Sequence, residues 1–254
     1  MYFNDIIVEF ICLFLLVVAI FLIITTSIIF PIWYKKTKRK KLLMIYAGII
    51  MGSLFVMSLY TPWFFKNKAD KSSNPEDIIK YDSYAVKTAL LPPVRGFMYS
   101  RLSDDYLNFK KDINKGINYL ELGYKYGKEP NALYSLSYLY ELKGDYDKAL
   151  ETVNKAGGRP SRKAKIYFLK GDTKTALKIL NQAIEGSNGG IWEYLYRGNI
   201  YDNMGKKDLA QKDYEKALKL DSHAKEYPAI EKIMNNKNYF KDRINEEKKY
   251  FGIK

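Results

Sequence analysis

The sequence predicts an all-α protein in which an N-terminal two-helix transmembrane hairpin is followed by an α-solenoid of stacked helical pairs. Two observations predict this fold class: two long apolar runs lie within residues 1–65, and three segments of similar spacing follow residue 130. A third observation restricts function. The chain of 254 residues contains one His and one Cys, too few for a zinc site built from those residue types, which takes about four ligands.

The first apolar run predicts a transmembrane helix over residues 8–30. From Phe10 to Phe30 the chain carries no charge, and about 21 residues at roughly 1.5 Å each span the hydrocarbon core of a bilayer. A cleaved signal peptide is the alternative. Such a peptide begins with a cationic segment, whereas no Lys or Arg precedes this run. We therefore expect the helix to remain in the mature protein.

A second uncharged run predicts a second transmembrane helix over residues 42–61. It ends near Tyr60 and Trp63, aromatic residues of the kind that is enriched at the lipid–water interface. Within this run, Gly48 and Gly52 have the G-x-x-x-G spacing that lets another membrane helix approach closely. We expect these two glycines to form a helix-packing surface.

The loop between the two runs predicts the orientation of the hairpin. Residues 31–41 contain six Lys and Arg residues, and the positive-inside rule keeps such a short basic loop in the cytoplasm. Both termini then lie on the other side of the membrane. We expect a protein of the bacterial inner membrane with two spans and an extracytoplasmic, periplasmic C-terminal region.

Residues 66–96 are expected to form a linker. The polar run over residues 66–74 is followed by Pro75 and is typical of a tether. A short helix is expected near Glu76–Leu90, ended by Pro92 and Pro93.

Beyond the linker, three segments share one spacing of aromatic, glycine and alanine residues. In the third segment, Tyr201 lies four residues before Gly205, and Ala210, Tyr214 and Ala217 follow. The glycine provides the left-handed conformation that ends a helix, and the small, large, small set shares one face of the next helix. Such a pair cannot bury its face alone, so successive pairs must stack. The corresponding residues are Tyr140, Gly144, Ala149, Val153 and Ala156 in the first segment and Tyr167, Gly171, Ala176, Leu180 and Ala183 in the second.

These positions resemble the tetratricopeptide repeat. One step departs from the family period of about 34 residues, because Ala176 follows Ala149 after only 27 residues. The second helix of the first repeat is therefore expected to end early, at Gly157 and Gly158, before Pro160 opens the next helix. We expect the repeat region to cover residues 97–222, with a degenerate repeat at 97–129, repeats at 130–156, 157–190 and 191–222, and a capping helix with a charged tail at 223–254.

The resemblance implies that the first helices of the repeats line a groove for a peptide or protein segment. Carried onto this sequence, the groove positions are Tyr134, Tyr138, Glu141, Arg162, Lys165, Phe168, Trp192, Tyr196, Asn199 and Asp202. The alternative for Tyr134, Tyr138 and Trp192 is packing between repeats, and the two interpretations stay open at this point. The repeat tyrosines Tyr140, Tyr167, Tyr201 and Tyr214 are assigned to the core.

The function expected from these features is that of a membrane-anchored scaffold without catalytic residues, which binds a protein or peptide partner in an envelope complex. No cofactor and no metal ion are expected, because the sequence lacks a glycine-rich phosphate loop and metal-ligand spacing. The neighbouring pair Asp104 and Asp105 does not face one site on a helix, which makes an enzyme the least favoured alternative.

The formal net charge of +14 is compatible with an acidic partner, lipid headgroups of the bilayer or an anionic polymer. Nucleic acid is not expected on the periplasmic side. The order of two spans and an extracytoplasmic repeat domain resembles the apocytochrome-holding subunit of bacterial cytochrome c maturation, which implies that function as one alternative. A repeat component of a polysaccharide synthesis or export complex is another.

Overall fold

The computed structural model describes residue 24 and residues 40–187, 189–221, 223 and 226–253. Apart from residues 24, 40 and 41, the predicted first membrane helix and the basic loop lie outside this part of the chain. The regular elements that the structure describes are helices. In chain order they are α1 Lys40–Lys71, α2 Pro75–Thr88, α3 Pro92–Phe109, α4 Ile113–Gly127, α5 Pro130–Lys143, α6 Tyr146–Lys155, α7 Pro160–Lys170, α8 Thr173–Ser187, α9 Ile191–Asn203, α10 Lys207–Leu220, α11 Pro228–Asn235 and α12 Tyr239–Tyr250.

The helices divide into two compact units. Unit 1 comprises the described residues up to Lys110 together with Asn114–Glu129, and unit 2 comprises Lys111–Ile113 and Pro130–Lys254. Unit 1 therefore contains α1 to α3 and nearly all of α4, whereas unit 2 contains α5 to α12.

Helix α1 continues through the segment that the sequence predicts to be a tether. It extends without a break to Lys71, because Phe65 and Ala69 are four residues apart and share the face that packs into unit 1. Ala69 is only 1% exposed, and Phe65 packs against the core cluster of α2 and α3. The true break is short and ends at Asn74, whose side chain accepts a hydrogen bond from the backbone N–H of Glu76 at 3.0 Å and caps α2.

The predicted second span, residues 42–61, lies within α1. Among the residues that the structure describes, no helix has the combined length and apolar character needed to cross a membrane. A Cβ atom built at Gly48 or Gly52 meets no atom within 4 Å. The close helix packing predicted for these two glycines is therefore not seen within the described part of the chain.

Helices α3 and α4 form a close pair in the region where the sequence predicts a degenerate repeat. A Cβ atom at Gly96 would lie 2.3 Å from the backbone nitrogen of Gly127, and one at Gly123 would lie 2.8 Å from the hydroxyl oxygen of Ser100. Glycine is thus required here because the two backbones nearly touch.

Unit 1 also buries a carboxylate cluster. Arg101 contacts the fully buried Asp82 through its Nη2 at 3.0 Å and its Nε at 3.4 Å, and a further bond from Nη2 reaches Asp70 at 2.7 Å. Burial, followed by the hydrogen bond with Asp82 and its negative charge, raises the pKa of the neighbouring Asp105 to about 7, with Arg101 acting in the opposite direction. Asp105 is therefore protonated over part of the neutral pH range.

Unit 2 consists of three helical pairs, α5 with α6, α7 with α8 and α9 with α10, each of which contacts the next. The first helix of each pair ends at a glycine with positive φ, namely Gly144 at 76°, Gly171 at 96° and Gly205 at 78°. The predicted helix stops are confirmed at these three positions, and α6 ends early at Lys155, just before Gly157.

The small and large residues of the repeat form the core between these helices. Ala149, Val153, Ala176 and Leu180 are completely buried. A Cβ atom at Gly198 would lie 2.7 Å from the ring of Tyr214, so a large residue on α10 fills the space opposite a glycine on α9. The core assignment is confirmed for Tyr214, which is buried. The other three repeat tyrosines are partly buried and pack against core clusters, namely Tyr140, Tyr167 and Tyr201.

The charged C-terminal segment forms two helices, α11 where the sequence predicts a capping helix and α12 within the charged tail. Helix α11 contacts α9, and α12 contacts both α5 and α7. The first helices of the three repeats therefore share one face that the end of the chain covers. We call this shared face of α5, α7 and α9 the groove.

Candidate partner-binding groove

The floor of the groove contains a buried ion cluster. Glu141 on α5 has no exposed surface, and its two carboxylate oxygens lie 3.1 Å from Nη2 of Arg162 and 2.5 Å from Nζ of Lys165, both on α7. Burial lowers the pKa of Lys165, while Glu141 raises it and Arg162 lowers it further. A buried carboxylate is tolerated only when it is paired, so Glu141 is fixed inside unit 2 and cannot reach a partner's side chain.

Because the cluster holds two cations and one carboxylate, its formal charge is +1. The cations also lie near an aromatic ring, since Arg162 and Lys165 are 5.9 and 5.7 Å from the ring centre of Tyr138. Contact with the negative face of a ring offsets part of the excess charge. The groove floor is therefore electropositive.

Tyr134 has a structural role. Its hydroxyl donates to the backbone oxygen of Ala156 at 2.8 Å, and its own carbonyl accepts from Arg162 at 3.3 Å. These bonds tie α5 to the end of α6 and to α7. For Tyr134 the structure therefore favours packing between repeats over ligand contact.

The apolar part of the groove holds one side chain of α12. Phe240 is 3% exposed, and its ring centre lies 6.1 Å from that of Phe168 and 4.7 Å from that of Tyr196, in edge-to-face arrangements. Ile244, one turn later, is also buried. Two of the predicted groove residues thus form the walls of a pocket that the chain itself fills.

Two charged residues of α12 lie near the groove tyrosines. Burial raises the pKa of Tyr138, with an additional increase from Glu247 and an opposing effect from Arg243. Burial also raises the pKa of Tyr196 to about 12. Both hydroxyls therefore stay protonated at neutral pH and can act as hydrogen-bond donors or acceptors.

The end of the groove formed by α9 is fixed to α11. The buried side chain of Asn199 donates to the backbone oxygens of Ile233 and Asn236, both at 2.8 Å. Asn203, one turn later, donates to Asn238 at 2.8 Å. Asn199, which the family pattern places in the groove, is used here to hold the C-terminus of α11.

Trp192 is the predicted groove residue that is most exposed to solvent. It is 44% exposed in the first turn of α9, and its ring packs edge-on against Tyr196 at 6.1 Å. Asp202, near the other end of the same helix, is partly exposed. Of the predicted set, Trp192 is the aromatic residue best placed to meet another protein.

The groove residues that the sequence analysis missed lie on α12. They are Phe240, Arg243, Ile244 and Glu247. The available signal was the spacing of Phe240 and Ile244, which places two apolar residues one turn apart within an otherwise charged segment.

With regard to metals, no group of three or more His, Cys, Asp or Glu residues in the described part of the chain could hold an ion.

Comparison with known proteins supports the repeat assignment. Family models of the tetratricopeptide repeat match residues 130–156 and 191–223. The chain thus contains tetratricopeptide repeats, and the two matched stretches lie in the region where the sequence predicts them. No curated protein matches the chain.

Solved structures also match. A crystal structure of MamA is 18% identical with a TM-score of 0.49, and the match covers 63% of this chain and 96% of that chain. A second crystal structure of MamA protein is 20% identical with a TM-score of 0.47, covering 66% of this chain and 96% of the other.

Proposed function

We propose that this protein is a non-enzymatic tetratricopeptide-repeat scaffold that binds a helical segment of another protein in the groove, as part of a complex at a bacterial membrane. The observation that supports this most is that α12 packs in the groove. Three repeat helices already hold a helix, because α12 packs on them and inserts Phe240 between Phe168 and Tyr196. A surface that accommodates one helix has the shape and chemistry for helix-in-groove recognition.

Trp192 provides the exposed contact of this proposal. A large aromatic side chain beside a groove is the type of residue that dominates binding energy at protein interfaces. Its ring is held by Tyr196, so little side-chain freedom is lost when a partner covers it.

The membrane anchor is the second part of the proposal. Two uncharged runs and the basic loop between them favour a hairpin with spans near residues 8–30 and 42–61 and a periplasmic C-terminal region. Helix α1 would lead directly from the second span into unit 1, because it is continuous from Lys40 to Lys71. A reporter enzyme that is active only outside the cytoplasm, fused after residue 254, tests this orientation. Activity is expected, and an active cytoplasmic reporter at the same site would refute it.

Partner binding is tested by comparing two variants of the full-length protein. Trp192→Ala removes the exposed groove aromatic, and Leu209→Ala, at a 42% exposed residue of α10 outside the groove, is the matched control. Each variant is cross-linked in cells, purified in detergent and analysed by quantitative mass spectrometry. Loss of an aromatic hot spot costs about 2 kcal/mol or more, so Trp192→Ala should reduce a specific co-purifying protein about tenfold or more. Equal recovery with both variants would contradict a role for the groove.

A further inference from the structure

We propose that α12 is an exchangeable occupant of the groove, and that the partner which displaces it is an amphipathic helix with an aromatic anchor and an acidic residue three positions later. This inference rests on the proposed function and adds the chemistry of the partner. It combines three features of unit 2: the pocket filled by Phe240, the positive charge of the groove floor and the limited attachment of α12.

The pocket defines the anchor of the partner. Phe240 packs between Phe168 and Tyr196 and belongs to the same buried cluster as Ala164 and Leu180. An aromatic ring in edge-to-face contact with two others is favoured over an aliphatic chain of similar size. Ile244, four residues later, fills the adjacent position on the same face. A competing helix therefore needs an aromatic residue followed, at the fourth position, by a branched aliphatic one.

Charge makes α12 an imperfect ligand for this groove. The floor carries two cations against the single carboxylate of Glu141, and Arg243 adds a third cation close enough to lower the pKa of Lys165. Arg243 donates a hydrogen bond to Tyr239 of its own helix at 3.1 Å and interacts with the hydroxyl of Tyr138 on α5, which are neutral groups and not carboxylates. A helix with Glu in place of Arg243 would bring a negative charge to the cluster, which strengthens attraction across a partly desolvated interface.

The attachment of α12 allows it to leave without disrupting the repeats. The helix has 12 residues, and two of them, Phe240 and Ile244, are buried. An isolated helix of this length is marginal in water, so α12 depends on the groove for its structure. Asn199 and Asn203 of α9 hold the end of α11 and the turn over residues 236–238 independently of α12, so α12 would open about its own first residue, Tyr239. Short elements with few buried contacts open at the lowest free energy in a protein.

The test uses two fluorescent synthetic peptides as probes, one with the native sequence of residues 237–254 and one with Arg243→Glu. They are titrated onto the full-length protein in detergent, and binding is followed by fluorescence anisotropy. Phe240→Asp in the protein releases its own α12. Asn245→Asp, which places the same residue on the exposed face of α12, is the control.

Three results are expected. The Phe240→Asp protein should bind the native peptide at least tenfold more tightly than the wild type does, because its groove is open. The Asn245→Asp protein should behave like the wild type. The Arg243→Glu peptide should bind the released protein severalfold more tightly than the native peptide, and this advantage should shrink at high salt. Equal binding of the native peptide by all three proteins, or tighter binding of the native peptide than of the Arg243→Glu peptide, would overturn the inference.

Hydrogen exchange on the wild type provides a second measurement if Phe240→Asp prevents folding. Backbone amides of α12 should exchange at least tenfold faster than those of α9, whereas equal protection would show that α12 is a fixed part of the core. Failure of the exchange of α12 can be distinguished from failure of the proposed function. Loss of a partner with Trp192→Ala together with no peptide exchange would leave the groove as a binding site and eliminate only the displacement of α12.

Discussion

Replacing Glu141 with Gln should destabilise unit 2 more than any change to its two cationic partners. The substitution keeps the size of the side chain but leaves the largely covered side chains of Arg162 and Lys165 without a negative charge. Removing one member of a buried ion pair costs about 3–5 kcal/mol. Deprotonation of Lys165, whose pKa burial already lowers, limits the loss, so we expect the lower end of this range. For a unit of this size the loss corresponds to a fall in Tm of roughly 10–15 °C.

The control is Lys165→Met, which removes one of two cations and leaves Glu141 paired with Arg162 at 3.1 Å. Methionine replaces the buried stem of the lysine, so the loss should stay near 1 kcal/mol. Thermal and urea unfolding of the full-length protein, followed by circular dichroism, measures both changes. If Lys165→Met costs as much as Glu141→Gln, the cluster is not held by its single carboxylate and the excess positive charge assigned to the groove is incorrect.

Two further predictions concern the cores of the units. The pKa of Asp105 is raised from 3.8 to about 7 by burial and by Asp82, so the protonated acid contributes stability that is fully present below about pH 4 and is lost as the pH rises through 7. Unit 1 should therefore unfold at a lower urea concentration at pH 8 than at pH 5. The Asp105→Asn variant should lose most of that difference. A wild-type protein that unfolds at the same urea concentration at both pH values would contradict the raised pKa. Gly198→Ala should destabilise unit 2 by about 1–3 kcal/mol because its Cβ would lie 2.7 Å from the ring of Tyr214. The control Gly186→Ala, with nothing within 4 Å of its Cβ, should be neutral or slightly stabilising. Equal Tm values for the two variants would refute the close packing of α9 on α10.

The features that could be predicted from the sequence are those set by neighbouring residues. Glycine at positions 144, 171 and 205 ends a helix because a positive φ is inexpensive for glycine alone. The early end of α6 followed from the 27-residue step between Ala149 and Ala176, because a shorter period leaves room for a shorter second helix. In each case the information lies within one repeat or between two consecutive repeats.

The features that were missed depend on contacts between distant parts of the chain. The polar segment over residues 66–74 has the composition of a tether, yet Ala69 is buried because α1 packs against α2. The segment that forms α12 is so charged that the sequence indicated a tail. Its order comes from Phe168 and Tyr196, which lie more than forty residues earlier. Tertiary contacts of this kind override local composition, and a single sequence does not reveal them.

The same contacts set the strength that a partner must have. Burial of Phe240 and Ile244 favours the docked helix, and the conformational entropy lost when the segment becomes ordered opposes docking. A net docking free energy of about 3 kcal/mol would leave the groove open in roughly one molecule in 150. A partner helix would then bind about 150-fold more weakly than its contacts alone predict, because it must first compete with α12. This competition makes the groove selective. A partner helix with the same affinity for the groove as α12 displaces little of it, whereas a helix that also neutralises the positive charge around Glu141 binds more tightly and displaces α12.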